Sequence, residues 1–309
     1  MIESAKLPTA VMIFGCGYTG TALAQYLMQV GVWVGALTRN SEQAARLRAM
    51  GVPEVVEADL EDAAWHSQLQ GDYTALINCV SSAGGGLAGY EKSYVKGQQA
   101  ILNWTQGRGI QTYIYTSSTS VYPQDGGVDV EESADTSLAP ETGKLLLQSE
   151  QLIAAAATQF ERWYVFRLAG IYGPQRHYLL NQLRESAGVM PGPGNYTMNL
   201  IHRDDIIGAL VRALSQPTAE SGIYNLADDG ATHKAEMAAW LAIQLGVQPP
   251  RFDPALSSPR LLRRGGRMPD RRILNAKVKA AFDWSPKYCD FRAGYQALLE
   301  GCQESPLNR

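Results

Sequence analysis

Residues 10–31, AVMIFGCGYTGTALAQYLMQVG, decide the fold. The apolar run from Ala10 to Phe14 predicts a strand, and Gly15-Cys16-Gly17-Tyr18-Thr19-Gly20 follows at once as a G-x-G-x-x-G turn. Residues 21–30 carry a helical pattern, and Gly31 is placed to end it. Each glycine has a reason. Gly15 allows the tight turn, and Gly17 lets the backbone approach a pyrophosphate. Gly20 lets the helix pack close to the strand while its free N–H groups, with those of Tyr18 and Thr19, face the anion. Six residues of this pattern say little alone. Between a strand and a helix they predict dinucleotide binding.

Apolar runs alternate with helical patterns through the first half, as a parallel sheet with crossover helices requires. Strands are expected near 10–15, 32–37, 54–57, 74–80, 111–117 and 163–168, with the longest helices near 90–107 and 141–158. Beyond residue 170 the rhythm loosens, and Gly222 to Leu226 reads as a late strand returning to the sheet. The expected architecture is a doubly wound parallel sheet of the Rossmann type over residues 1–170. A smaller substrate lobe over 171–309 is interleaved with it, with 203–228 returning to the sheet.

The bulk properties narrow the partners. The 309 residues carry a formal charge of −3, with 45% hydrophobic and 18% charged residues, and this gives no electrostatic case for nucleic acid or an anionic membrane. No apolar run approaches the roughly 20 residues that span a bilayer. The first nine residues include Glu3 and Pro8 and no apolar signal core. The cysteines, Cys16, Cys79, Cys289 and Cys302, form no C-x-x-C pair and no metal-type cluster with the four histidines. Reduced thiols in a cytoplasmic protein without a structural metal are expected.

In NAD-binding units an acid at the end of the second strand bonds the ribose 2′-OH. Here that strand runs into Thr38-Arg39-Asn40-Ser41. Arg39 is suited to the 2′-phosphate of NADP, so NADP is expected over NAD. Asp59 and Leu60, after the third strand, belong beside the adenine. Cys79, Val80 and Ser81, ending the fourth, belong on the path to the nicotinamide.

From residue 111 onward the chain resembles the extended short-chain dehydrogenases/reductases, the NAD-dependent epimerase/dehydratase family. Thr116-Ser117-Ser118-Thr119-Ser120-Val121-Tyr122 is similar to that family's Ser-Ser-x-x-Val-Tyr segment. Arg167-Leu168-Ala169-Gly170-Ile171-Tyr172-Gly173-Pro174 is similar to its R-x-x-N-x-Y-G-P stretch. Leu200 to Asp205 and Gly222 to Leu226 follow its V-H-x-x-D and G-x-Y-N elements in order. The resemblance implies a serine at 118 that holds the substrate oxygen and a lysine at 144 that bonds the nicotinamide ribose. It also places Leu168 in the cofactor set. Family members often dimerise through the helices expected at 90–107 and 141–158, which implies a homodimer.

The family's catalytic tyrosine stands four residues before its lysine. Here that position is Pro140, and none of the 15 tyrosines is followed by lysine at the fourth place. The pattern resembles an atypical subgroup that keeps the glycine turn and lacks that tyrosine. Gly170 replaces the asparagine with which many nucleotide-sugar enzymes touch substrate. Substitute proton carriers are sought among Tyr122, Tyr172 and His177, with Tyr178 beside them. Two functions fit: an oxidoreductase or epimerase-type enzyme acting on a small or nucleotide-linked carbonyl or alcohol, and a silent NADP-binding redox sensor that reports to a protein partner. Asp204 or Asp205 is expected to cap a helix at 206–214, and Asn275 a helix over Ala276–Phe282. The arginine-rich stretch 260–272 reads as a solvated arm, with an anion clamp as its sharper reading.

Overall fold

The first strand, β1 (Ala10–Phe14), is buried along its whole length, and its side chains divide by parity. Val11 and Ile13 enter one apolar layer, while Ala10, Met12 and Phe14 enter the other. That period of two places a strand with helices on both faces, where a near-continuous hydrophobic run is required. The structure is a computed structural model describing residues 7–303 apart from 83, 187, 217, 259, 260 and 263–266, with residues 301–303 as backbone alone.

The remaining strands of the main sheet are β2 (Trp33–Thr38), β3 (Glu54–Glu57), β4 (Ala75–Asn78), β5 (Thr112–Ser118), β6 (Arg162–Leu168) and β7 (Gly222–Leu226). Their order is β7-β6-β5-β4-β1-β2-β3, and every pairing is parallel. The order reverses direction between β1 and β4, which opens a crevice at their carboxyl ends. Helix α1 (Tyr18–Gln29) follows β1, and α2 (Ser41–Ala49) follows β2. After β4 the chain is helical from Gly86 to Thr105, with a π-type stretch at Glu91–Lys96 between two α-helical segments. Helix α3 (Glu141–Ala155) precedes β6.

The strand expectations agree with these bounds to within two residues. The capping expectations need correction. The helix expected at 206–214 is α4 (Arg203–Ser215), and its cap is His202, whose Nδ1 accepts from the Asp204 N–H at 3.2 Å. Asp205 instead accepts from the N–H groups of Lys287 and Tyr288, at 2.6 and 3.1 Å. Asn275 precedes Ala276–Phe282 but makes no side-chain cap. Its Nδ2 donates to Ala227 O and Asp229 Oδ1, 2.9 and 2.8 Å away.

Beyond β6 a further apolar cluster is built on Leu179, Leu183, Met190, Met237, Leu241, Phe291 and Tyr295. Short strand pairs form beside the main sheet, among them Leu200–His202 parallel to Gly170–Tyr172. The solvated-arm reading fails at its C-terminal end. Arg271–Ile273 pairs with Val128–Val130, buried Arg271 donates to Gln124 O and Thr119 O at 3.0 Å each, and Arg272 grips Asp129 through two contacts of 2.7 Å. Arg267 pairs with Asp125. Arg260, Arg263 and Arg264 lie outside the described residues. Among the described residues no helix is long and apolar enough to cross a membrane.

Candidate active site

The glycine turn is shaped by close backbone approach. Gly15 has φ +80°, and a Cβ there would lie 2.6 Å from the Val80 backbone. At Gly20 a Cβ would lie 2.7 Å from Gly15 O, so α1 is seated against β1 as its spacing predicts. A Cβ at Gly17 would meet nothing within 4 Å. That position faces open space at the start of α1, where the first amides have no intrahelical acceptor. A pyrophosphate fits there.

The open space belongs to a cavity of about 800 Å³ that runs along the carboxyl edge of the sheet. Gly15, Gly17, Tyr18 and Thr19 line it from the turn. Thr38, Arg39, Asp59 and Leu60 line it from the ends of β2 and β3, and Cys79, Val80 and Ser81 from the end of β4. Ser118 and Leu168, paired across β5 and β6, complete it. Of the expected dinucleotide residues, Gly20 and Lys144 do not line the cavity.

Arg39 is exposed, and its Nη2 donates to Ser82 O at 3.2 Å across the cavity mouth. Arg46 and Glu42, both on α2, line the same cavity. Asp59 pairs with Lys92 at 2.6 Å, and Glu61 joins that lysine at 3.0 Å. Tyr18 ties the turn to the segment after β6 and to α4: its hydroxyl donates to Pro174 O at 2.9 Å, and Arg176 and Arg203 lie over its ring at 5.3 and 5.2 Å. Arg176 itself lines the cavity.

The expected catalytic residues separate. Ser118 stands on the cavity wall, its Oγ accepting from the Ser120 N–H at 3.2 Å, which leaves its own proton to donate. Lys144 is turned away. Its side chain is 56% exposed, and its Nζ pairs with Glu141 at 2.7 Å, one helical turn back. The helix faces the cavity with Leu146, and Lys144 does not line it.

Tyr122 does not line the cavity either. It is buried in a polar network under the floor, donating to Asn225 Oδ1 at 2.7 Å and accepting from Arg167 Nη1 at 2.9 Å. Arg167 also holds Glu150 through Nε and Nη2, and Ser117 Oγ donates to that carboxylate at 2.6 Å. Tyr172 is buried outside the cavity lining, stacked on Tyr295 at 5.1 Å with its hydroxyl 3.4 Å from Asp290 O. His177 caps the helix Tyr178–Glu185 in position, its Nδ1 3.4 Å from Gly173 O.

The cavity contains two aromatic residues that the sequence reading passed over, Tyr90 and Tyr94. Their rings are 5.0 Å apart. The available signal was position. A helix following β4 begins at the carboxyl edge of the sheet, so residues near its start meet the crevice.

The sequence model of the NAD dependent epimerase/dehydratase family matches residues 11–227. The protein YeeZ of Escherichia coli strain K12 is 29% identical over 258 residues, covering 80% of this chain and 88% of that protein. Two solved structures share the fold. A conserved protein of unknown function from Silicibacter pomeroyi aligns with a TM-score of 0.76 at 24% identity, covering 95% of this chain and 99% of that one. MoeE5, in complex with UDP-glucose and NAD, aligns with a TM-score of 0.78 at 19% identity, covering 95% and 98%. With seven parallel strands, a glycine turn at the switch point and a family match over most of its length, the chain belongs to the NAD dependent epimerase/dehydratase family.

Proposed function

We propose that this protein is an NADP-dependent oxidoreductase of the epimerase/dehydratase type, acting on a carbonyl or alcohol of a small-molecule substrate. One observation carries the reading: a single cavity joins the glycine turn, Arg39 and Ser118. The amides at the start of α1 hold the pyrophosphate, and Arg39 meets the 2′-phosphate with Arg46 nearby. Asp59 and Leu60 border the adenine. Cys79, Val80, Ser81 and Leu168 border the nicotinamide, which when bound supplies hydride transfer. Ser118 donates to the substrate oxygen. A nucleotide-linked substrate is one member of the class, and MoeE5 supports it by binding UDP-glucose on the same fold.

Pro140 at the family's tyrosine position, with Lys144 facing solvent, favours a second reading, an NADP-binding redox sensor. A calorimetric titration with NADP⁺, NADPH, NAD⁺ and NADH separates the two. The enzyme reading expects both NADP forms to bind with similar affinity and more tightly than the NAD forms. A large gap between oxidised and reduced forms selects the sensor, because a ligand shifts a protein's state only through differential affinity. Absence of binding by all four overturns both.

A further inference from the structure

The helical stretch packed against the lost tyrosine's helix brings phenols of its own to the cavity. Tyr90 and Tyr94 stand four residues apart, but the helix between them is not regular. Glu91–Lys96 takes the wider π-type path, and such stretches concentrate at functional sites because they re-aim side chains. Lys92, inside that stretch, is tied to Asp59 and Glu61 beyond the end of β3. Tyr94 is half-buried, and its ring packs against both apolar layers of the sheet. Its Oη accepts from the Ser82 N–H at 3.3 Å. Among the described residues nothing accepts the Tyr94 proton in return.

We propose that Tyr94 is the acid–base residue of this site, exchanging its hydroxyl proton with the oxygen of the substrate that Ser118 holds. The proposal rests on the oxidoreductase reading above and supplies the group that Pro140 lacks. In the reducing direction the carbonyl carbon takes up a hydride from a reduced nicotinamide dinucleotide, and the C=O π pair moves to oxygen. That oxygen takes the Tyr94 proton, and the phenolate left behind regains one from water. Burial, with Tyr90 alongside, pushes the phenol up to about 12, so it stays protonated and acts as a donor until positive charge arrives. The Ser82 N–H stabilises the phenolate once it forms. Tyr90 flanks Tyr94 and narrows its access to water.

The test reads the phenol directly. Full-length protein labelled with [¹³Cζ]tyrosine is titrated from pH 7 to 11 with saturating NADP⁺ or saturating NADPH. Tyr94→Phe and Tyr90→Phe assign the two resonances. The expected result is a Tyr94 resonance well advanced toward the phenolate position at pH 11 with NADP⁺ and barely moved with NADPH, because the cationic ring favours the phenolate nearby. Tyr90 should move less. Equal Tyr94 behaviour in the two complexes, or a larger response at Tyr90, overturns the proposal and leaves the function standing. Failure of any dinucleotide to bind overturns the function, and this proposal with it.

Discussion

Ser117 Oγ donates to Glu150 Oε1 at 2.6 Å, which connects the cavity floor to a buried ion pair. Glu150 and Arg167 are 4% and 3% exposed, and the carboxylate takes Arg167 Nε and Nη2 at 3.1 and 2.6 Å. Arg167 then reaches Tyr122, and Tyr122 reaches Asn225. The chain of contacts crosses β5, β6, β7 and α3.

Removing one partner of that pair leaves the other charge buried without compensation. Glu150→Ala is expected to lose about 3–5 kcal/mol of folding stability, more than an isosteric Glu150→Gln that keeps a hydrogen-bond acceptor for Arg167. Chemical denaturation measures both. Equal losses would mean that the charge is unimportant to the network.

Gly15 and Gly17 sit two residues apart and fail differently. Gly15→Ala places a Cβ at φ +80° against the Val80 backbone, so stability should fall by more than about 1 kcal/mol. Gly17→Ala meets only open cavity, so stability should hold. NADPH affinity should nevertheless weaken by more than about tenfold, roughly 1.4 kcal/mol, as the methyl occupies the pyrophosphate's approach. Thermal melts paired with calorimetry distinguish the two. A Gly17→Ala protein that binds normally would remove the turn from the cofactor site.

The sheet was legible in sequence because each strand has a local cause: an apolar run bounded by a turn, as at Ala10–Phe14 and Gly222–Leu226. The glycine turn was legible because its demands are steric and lie within six residues. Contacts made across long sequence separations were not. Tyr122 looked like a pocket residue four places past Ser118, but its environment comes from Asn225, 103 residues away. Lys144 matched a family position, yet its direction depends on how α3 lies over Thr119–Val121 and on Glu141 beside it. Tyr94 was missed because its aim depends on a local widening of the helix that no periodicity of 3.6 describes.

Arg39 is expected to separate the two cofactors. Among the described residues its guanidinium has one hydrogen-bond partner, Ser82 O, which leaves donors to meet an anion. Arg39→Ala should weaken NADPH binding by roughly ten- to a hundredfold, the value of a charge-assisted hydrogen bond of about 1.5–3 kcal/mol, while NADH affinity changes little. Calorimetry at two salt concentrations checks it, since the NADPH difference should shrink as salt rises. Parallel losses for both dinucleotides would assign Arg39 to the loop after β4 and not to the 2′-phosphate.

The last prediction concerns pH and two buried groups of opposite sign. Asp228 is 5% exposed, with Oδ1 accepting from the Gly230 N–H at 3.1 Å and Oδ2 lacking a partner among the described residues. Burial, reinforced by Asp290, Asp229 and Asp205, pushes its carboxyl up to about 8. An unfolded aspartate titrates near 3.9, so between those values the folded state binds the extra proton and stability falls as pH rises. His202 works the other way. Burial lowers it to about 4, so from there to about 6.5 the unfolded chain binds more protons and stability rises with pH. Below about pH 6.5 the two effects oppose each other. From about 6.5 to 8 Asp228 acts alone, and stability should fall by up to about 1.4 kcal/mol per pH unit. Urea midpoints at pH 6.5 and 8 measure the decline, and Asp228→Asn, which keeps the acceptor for Gly230, should flatten it. An unchanged slope in that variant would mean that Asp228 is already ionised at neutral pH and that its second oxygen has found a partner in water.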